Sequence, residues 1–324
     1  MTVGDLAPLR HDCGPDDSLL AWRVQVTDFF PPLAIEPLGA RFTGSISGAR
    51  SRELQVTEIV GSAHHVARRP AGHRTSDGEY FKLNVQLDGH GFVRQAGNET
   101  RLAPGSIAIY DFAQPYDLVF DGDSRFLVAL FPKDALGLPD ALAADLMAAP
   151  LAADDGTAPL VSSYLRSLAE NLGLLAGPSG AKVSRVFLDL VTTFLGEQLN
   201  RRIGSARADL GTLTMTILRY IDDHLADPDL DPARLAEAHH ISVRYLHKLF
   251  EPTGVSVGQW IRQRRLEHAR AELTGRADLA VAEVAHRSGF VDPGYFGRVF
   301  KQAYGMTPGQ WRANRALSSY TSAR

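Results

Sequence analysis

A single cysteine, Cys13, stands in the 324 residues, which excludes an internal disulfide and a thiolate cluster around structural zinc. No apolar run approaches the roughly 20 residues that a bilayer-spanning helix needs. The opening stretch MTVGDLAPLRHDCGPDD lacks the basic-then-apolar order of a secretory leader. The expectation is a chain that stays in the cytoplasm and has no membrane partner. Residues 1–20, rich in Asp, Gly and Pro, read as poorly ordered, with Cys13 a bystander among them.

Net charge is scarce too: 34 Lys and Arg against 37 Asp and Glu give −3. The charges are unevenly placed, however. From Pro232 onward 14 Lys and Arg face 7 Asp and Glu, a surplus of 7 that leaves −10 for the preceding chain. A basic C-terminal third fits either an anionic partner or a plain solvated surface. The length and the 44% hydrophobic content are enough for two ordinary cores, with a helical bridge between them.

From Gln55 to Phe131 short β-prone runs such as LQVTEIV, YFKLNVQL, SIAIYDF and RFLVALF alternate with turn signals at Asp88-Gly89, Gly97-Asn98, Pro104-Gly105 and Asp121-Gly122. Strands spaced in this way form a β-sandwich or a small barrel. Helical patterning follows Lys133. In KVSRVFLDLVTTFLGEQLNRRI, the residues Val183, Val186, Phe187, Leu190, Phe194 and Leu195 fall on one stripe at helical spacing. That stripe packs against the β-domain or a neighbouring helix, or else forms a dimer interface. A linker is expected before a new helical pattern opens at Leu213.

The last third carries the clearest signals. Asp231-Pro232 is an N-cap followed by proline at the first helical position, and ARLAEAHH continues as a short helix. Ile241-Ser242 turns into a second helix, VRYLHKLFEP, whose Leu246, Leu249 and Phe250 share an apolar face. Arg244, His247, Lys248 and Glu251 lie opposite them. The plan returns 50 residues later: AVAEVAHRS, a turn at Gly289-Phe290, the cap Asp292-Pro293, and the helix GYFGRVFKQAYG. Tyr245, Lys248 and Phe250 correspond to Tyr295, Arg298 and Phe300. Caps, turn length, apolar face and exposed cation are all read as recurring, which marks an internal repeat. Between the units, SVGQWIRQRRLEHARAELTG forms a helix of 18 to 20 residues, about 27 to 30 Å long. Two recognition helices at its ends then reach grooves one turn of B-DNA apart, roughly 34 Å.

The segments LAEAHHISVRYLHKLF, GQWIRQRRLEHARAEL and VAEVAHRSGFVDPGYFGRVFKQAYGMTPGQWR resemble the AraC/XylS family of transcriptional regulators over about 100 residues. Gly294 and Gly297 depart from the usual pattern and leave the second recognition helix fewer side chains. The resemblance implies DNA contacts from Arg244, His247, Lys248, Tyr295, Arg298 and Lys301, as base or phosphate contacts alike. Half-burial beside Phe296 is the competing role for Tyr295. Arg262, Arg264 and Arg265 either contact phosphates or form a solvated face paired within the helix to Glu267. The stretch QLDGHGFVRQAGNETRLAPGSIAIYDFAQPYDLVF is more loosely similar to the cupin-like sensor half of some of these regulators. It implies a barrel that binds a small-molecule effector, helices that make a homodimer, contact with RNA polymerase, and activation as the more common outcome. Candidate effector-binding residues are Arg94, Tyr110 and Tyr116, each with an ordinary core or surface role as its alternative.

The expected fold class is α+β with two domains: residues 21–135 a cupin-like β-barrel, 136–203 a helical bridge, 204–212 a linker, 213–316 an all-α domain of two helix-turn-helix units joined by a long helix, and 317–324 a tail. The competing function is a metal-dependent cupin enzyme or a ligand-binding protein with an accessory tail. Such a site needs clustered histidines and a carboxylate, for which His64, His65 and His73 with Glu58 and Glu79 are the candidates. Adjacent His64 and His65 point to opposite faces of a strand, and no His-X-His precedes a carboxylate. A cysteine alkyl acceptor is discarded because Cys13 has no cysteine partners. The expectation is a regulator without enzymatic activity, metal or cofactor.

Overall fold

The computed structural model describes residues 8–14, 19–31, 33–69, 80–136, 138, 140–203, 210–276 and 278–313. The chain divides into two compact units, Met1–Met215 and Thr216–Arg324.

Among the described residues, the first unit holds eleven strands in two antiparallel sheets. These are β1 (Leu9–Cys13), β2 (Ala34–Pro37), β3 (Gly44–Arg50), β4 (Gln55–Gly61), β5 (His64–Arg68), β6 (Tyr80–Asp88), β7 (Gly91–Gln95), β8 (Asn98–Leu102), β9 (Ile107–Asp111), β10 (Tyr116–Phe120) and β11 (Ser124–Pro132). One sheet runs β1-β3-β4-β11-β6-β9 and the other β2-β5-β10-β7-β8. The turn signals lie where the chain reverses: Gly89, Gly97 and Gly105 take positive φ, where a side chain is disfavoured. Gly89 also leaves no room for a Cβ against the backbone of Asp123 and Ser124.

Residues of both sheets and of helix α1 (Leu19–Val26) meet in one core, including Trp22, Phe42, Ile46, Val93, Tyr110, Tyr116, Phe120 and Phe126. The outer face of the six-stranded sheet is also covered. Helices α3 (Ala158–Glu170) and α4 (Leu172–Ala176) lie against β4 and β11 and against β3. Along β6, Phe81, Leu83 and Val85 are therefore as buried as Lys82, Asn84 and Gln86 on the opposite face. A short helix α2 (Asp140–Ala144) precedes them.

Helix α5 (Gly180–Ile203) packs on α3 and α4. Phe187, Phe194 and Leu195 of the expected stripe are buried, and Val183 and Leu190 are half-buried. Val186 instead stands 48% exposed. The hydroxyls of Ser51 and Ser184 meet at 2.7 Å, and Tyr164 donates to the Val183 carbonyl. These bonds hold α5 to the β3–β4 turn and to α3.

Two expectations for the first unit change. The reading of residues 1–20 as poorly ordered does not hold for Leu9–Cys13, which pair with β3 in regular register. Cys13 is buried in the core rather than a bystander. Both rest on the same physics: a five-residue edge strand supplies its own ladder bonds, and Asp or Gly neighbours do not prevent that. Residues 1–7 and 15–18 lie outside the described residues, as does the linker segment 204–209. The helix expected to open at Leu213 starts earlier, as α6 (Leu210–Asp223).

In the second unit, α7 (Pro232–Ala238) and α8 (Val243–Phe250) form the first helix-turn-helix, and α10 (Val281–Arg287) and α11 (Pro293–Tyr304) the second. Between them runs α9 (Val257–Gly275). Capping residues set these boundaries. Asp231 accepts from the Arg234 amide, Ser242 from Tyr245, and Asp292 from Gly294. Ser256 and Gln259 close a reciprocal capping box on α9.

The repeat is real but not uniform. Each turn closes with an amide donating to a buried alanine carbonyl, Ile241 to Ala236 and Phe290 to Ala285. Each also uses one left-handed residue, His240 and Gly289. These pairs lie 49 positions apart, whereas the caps Ser242 and Asp292 lie 50 apart. The turn length expected to recur therefore differs: four residues separate α7 from α8 and five separate α10 from α11. The extra residue, Val291, is 71% exposed.

Candidate nucleic-acid interface

On α8, Leu246, Leu249 and Phe250 are buried while Arg244, Tyr245, His247 and Lys248 face outward. On α11, Phe296 and Phe300 are buried while Tyr295, Arg298 and Lys301 face outward. Phe296 and Phe300 stack into a cluster with Phe290, Tyr304 and Trp311. The cluster fixes the rotation of α11 about its own axis and so fixes which residues point out. Tyr295 is 39% exposed, its ring 6.4 Å from that of Phe290. It is in contact with that ring and still exposed.

Among the basic residues of this unit, two groups stand apart. Arg264 is buried and gives both guanidinium edges to acids: Nε and Nη2 to Asp222 at 2.7 and 3.0 Å, and Nη1 to Glu267 at 2.7 Å. Arg265 donates to the carbonyls of Leu225 and Asp227 at 3.2 and 2.6 Å, and its burial lowers its pKa. The phosphate role open to these two is overturned, because their donors are spent tying α9 to the end of α6. Arg287 pairs with Glu272 at 3.2 Å, and His268 meets the Ser288 hydroxyl at 2.9 Å. Together they fasten the second helix-turn-helix to α9. Gly289 sits so close that a Cβ would strike the Leu225 carbonyl and come within 2.6 Å of Arg265 Nε.

Arg244, Lys248, Arg298 and Lys301 form the other group. All are exposed, and none is ion-paired with a described residue. Arg262 is likewise exposed on α9. Charged donors held out of their own protein's salt bridges retain their full capacity for phosphate and base edges. The 19 residues of α9 span about 28 Å.

In the β-unit, the candidate residues separate. Arg94 lies on the exposed face of β7, paired with Glu99 and stacked over Phe92. It does not share the interior with Tyr110 and Tyr116. Those two tyrosines are fully buried with ring centroids 4.9 Å apart. Burial raises the pKa of both phenols well above the usual tyrosine range.

Beside them is a residue that the sequence did not single out: Lys82, 3% exposed, whose Nζ donates to the Tyr116 hydroxyl at 3.1 Å. Burial, and then the nearby Arg68, push its pKa well down. The signal was hidden because Lys82, Asn84 and Gln86 alternate with apolar residues and read as a solvent face. Helices cover the other side, so the polar face looks inward.

His64 and His65 do point to opposite sides of β5. His64 is buried against Phe120, and burial lowers its pKa. His65 reaches Asp117 at 2.8 Å. Glu58 pairs with Arg125 at 2.6 Å, and His73 and Glu79 lie outside the described residues. Among the described residues no group of three or more His, Cys, Asp or Glu side chains is placed to hold a metal.

Two capped helix-turn-helix units on one connecting helix, with exposed cations on both second helices, define a DNA-binding protein. Comparison with known proteins agrees. An AraC-binding-like domain model matches residues 22–196, more than half the chain, and a helix-turn-helix domain model matches residues 235–314. The chain is 31% identical over 279 residues to the transcriptional activator NphR of Rhodococcus sp, covering 85% of this chain and 82% of that protein. It is 25% identical to the arabinose operon regulatory protein of Escherichia coli K12, over 72% of this chain and 80% of that one. The crystal structure of the AraC-like transcriptional activator CuxR aligns over 82% of this chain and 96% of its own, with a TM-score of 0.52 at 21% identity. That last likeness is one of fold. The chain belongs to the AraC family of DNA-binding transcriptional regulators, with the two-domain α+β architecture of an AraC-binding-like β-domain followed by a helical DNA-binding domain. No helix among the described residues is long and apolar enough to cross a membrane.

Proposed function

We propose that this regulator reads an operator with two half-elements about one helical turn apart, using α8 for one and α11 for the other. Arg244, His247 and Lys248 contact the first, and Tyr295, Arg298 and Lys301 the second. The observation that carries this is the sorting of cations: those on the two outer faces are exposed and form no ion pair with a described residue, whereas Arg264 and Arg265 are consumed by the scaffold. Arg262, exposed on the same connecting helix, is placed to add a phosphate contact. By residue range, 21–135 form the sensor, 136–203 the bridge and 213–316 the DNA-binding part.

In the same reading the β-unit binds a small-molecule effector, the helices after it support a homodimer, and bound protein contacts RNA polymerase to activate transcription in the cytoplasm. The name of NphR, a transcriptional activator, supports the sign of regulation. An effector acts by favouring one arrangement over another, and shifts DNA binding by no more than its difference in affinity for the two. The chain has no catalytic role in this scheme.

Selection of genomic fragments by purified protein at physiological salt, with and without residues 213–324, tests the reading. A shared bipartite motif that disappears on truncation is the expected result. Persistent salt-sensitive binding with no sequence preference, with candidate effectors present, would refute it.

A further inference from the structure

Exposed apolar side chains in the second unit are few and placed with a pattern. Among its described residues the exposed large hydrophobic side chains are Val243, Tyr245, Val291 and Tyr295. All four stand at the starts of the two outward helices. Val243 is the first residue of α8 and Tyr245 the third, Tyr295 is the third residue of α11, and Val291 lies two positions before that helix begins. Single exposed apolar residues are ordinary on a protein surface. Their collection at two corresponding helix starts, with none elsewhere on the described surface of the unit, is not what scatter gives. The tyrosines already belong to the proposed DNA contacts, whereas the two valines have no assigned role.

Each valine adjoins a helix cap, Val243 just after Ser242 and Val291 just before Asp292. Every Cα–Cβ bond of a helix tilts toward its N-terminus, so Val243 projects past the leading end of α8, one turn ahead of His247. Recognition helices of helix-turn-helix units enter the major groove with their N-terminal residues on the base edges. At the start of α11, Gly294 carries no side chain, so Val291 and Tyr295 are the apolar groups presented there. Exposed cations around these positions call for a polyanion, and apolar side chains among them call for an apolar group on that polyanion. The base edges of the major groove offer one, the C5 methyl of thymine. A protein partner fits less well. A stable interface covers about 800 Å² on each side, and two side chains at each helix start cover only a fraction of that.

We propose that Val243 and Val291 are specificity-determining residues that read thymine methyl groups, one in each half-element of the operator. The inference rests on the operator reading above and adds a base that each half-element must carry. Because one valine follows its cap and the other precedes it, the two thymines do not fall at equivalent places in the half-elements.

The test uses full-length protein and two random-sequence duplex libraries, one made with thymidine and the other with deoxyuridine, which pairs identically and lacks only the methyl. Bound fragments are sequenced. The expected result is the same bipartite motif from both, with an A·T preference in each half-element that falls about three- to fivefold when uracil replaces thymine. Val243→Ala should lower the preference in the first half-element to the parent's uracil level and leave the second unchanged, and Val291→Ala should do the reverse. In each variant thymine and uracil should then be equivalent at the affected position, whereas an effect of the methyl on duplex shape would survive the substitution. Both side chains are exposed, so both variants should melt with the parent. Equal motif strength from the two libraries would overturn the methyl assignment and leave the operator reading standing. Discrimination between thymine and uracil that persists in either variant would overturn the assignment for that valine. A lack of any shared motif from the thymidine library would instead overturn the operator reading, and this inference with it.

Discussion

The two helix-turn-helix units solve the same problem with different means. The first keeps a histidine, His240, in the left-handed turn position, and its second helix is short and presents Arg244, His247 and Lys248 close together. The second uses glycine at the matching position, Gly289, and a longer helix carrying Arg298, Lys301 and two glycines. The difference follows from surroundings. His240 is exposed, so a side chain costs only its backbone strain. Gly289 is pressed against the Leu225 carbonyl and Arg265, so no side chain fits. A repeated motif is thus free to vary where it meets solvent and constrained where it meets its partner.

Substitutions can break or sharpen this comparison. The largest effect is expected from Phe300→Ala, which empties the centre of the aromatic cluster and should cost about 3–5 kcal/mol. Hydrogen exchange would show whether α8 loosens with α11, as it must if α9 couples the units. If only α10 and α11 lose protection, the units are energetically separate. Arg264→Ala comes next. It strands Asp222 and Glu267, and because those acids are about a quarter exposed the loss should be about 2–4 kcal/mol in denaturant melts, below that of a fully buried pair. A smaller and sharper contrast comes from exchanging the turn residues. Gly289→Ala should destabilise by about 2–3 kcal/mol, through strain at φ 76° and the carbonyl clash. His240→Gly should change stability by less than about 1 kcal/mol, in either direction. Equal costs at the two sites would remove the argument from surroundings. Last, Arg244→Ala and Arg298→Ala should each weaken operator binding by about 1–3 kcal/mol if the side chain reads a base. Each should relax preference in a different half-element. A uniform loss across all sequences, with a shallower salt dependence, would assign that side chain to phosphate instead.

Much of the helical unit was legible in its sequence because its signals are local. Asp231-Pro232, Ser242, Ser256 and Asp292-Pro293 mark helix starts through bonds to residues two or three positions away. The apolar spacing of Leu246, Leu249 and Phe250 states the buried face directly. What escaped is what depends on distant partners. Nothing near Arg264 in the sequence announces Asp222, 42 residues earlier. In the β-unit the runs around β4, β6, β9 and β11 were evident, while β1 to β3 before them were not. These carry small or charged residues such as Gly44, Ser45, Glu36 and Arg10, and pair through their backbones. The inward direction of Lys82 escaped for a related reason: a sheet covered on both faces removes the usual meaning of a polar alternation. Arg94 shows the converse, since its neighbours on β7 alternate in the ordinary way and place it outside.

The single extra residue at Val291 bears on how such a tandem protein can change over generations. Inserted within a helix, one residue would rotate everything after it by about 100° and turn Arg298 and Phe300 to the wrong sides. Between the left-handed Gly289 and the cap at Asp292 it alters no helical face, because the cap restarts the count. Duplicated units can therefore gain or lose residues at this joint while keeping their working surfaces, and a library of variants seeking new operators should take its insertions there.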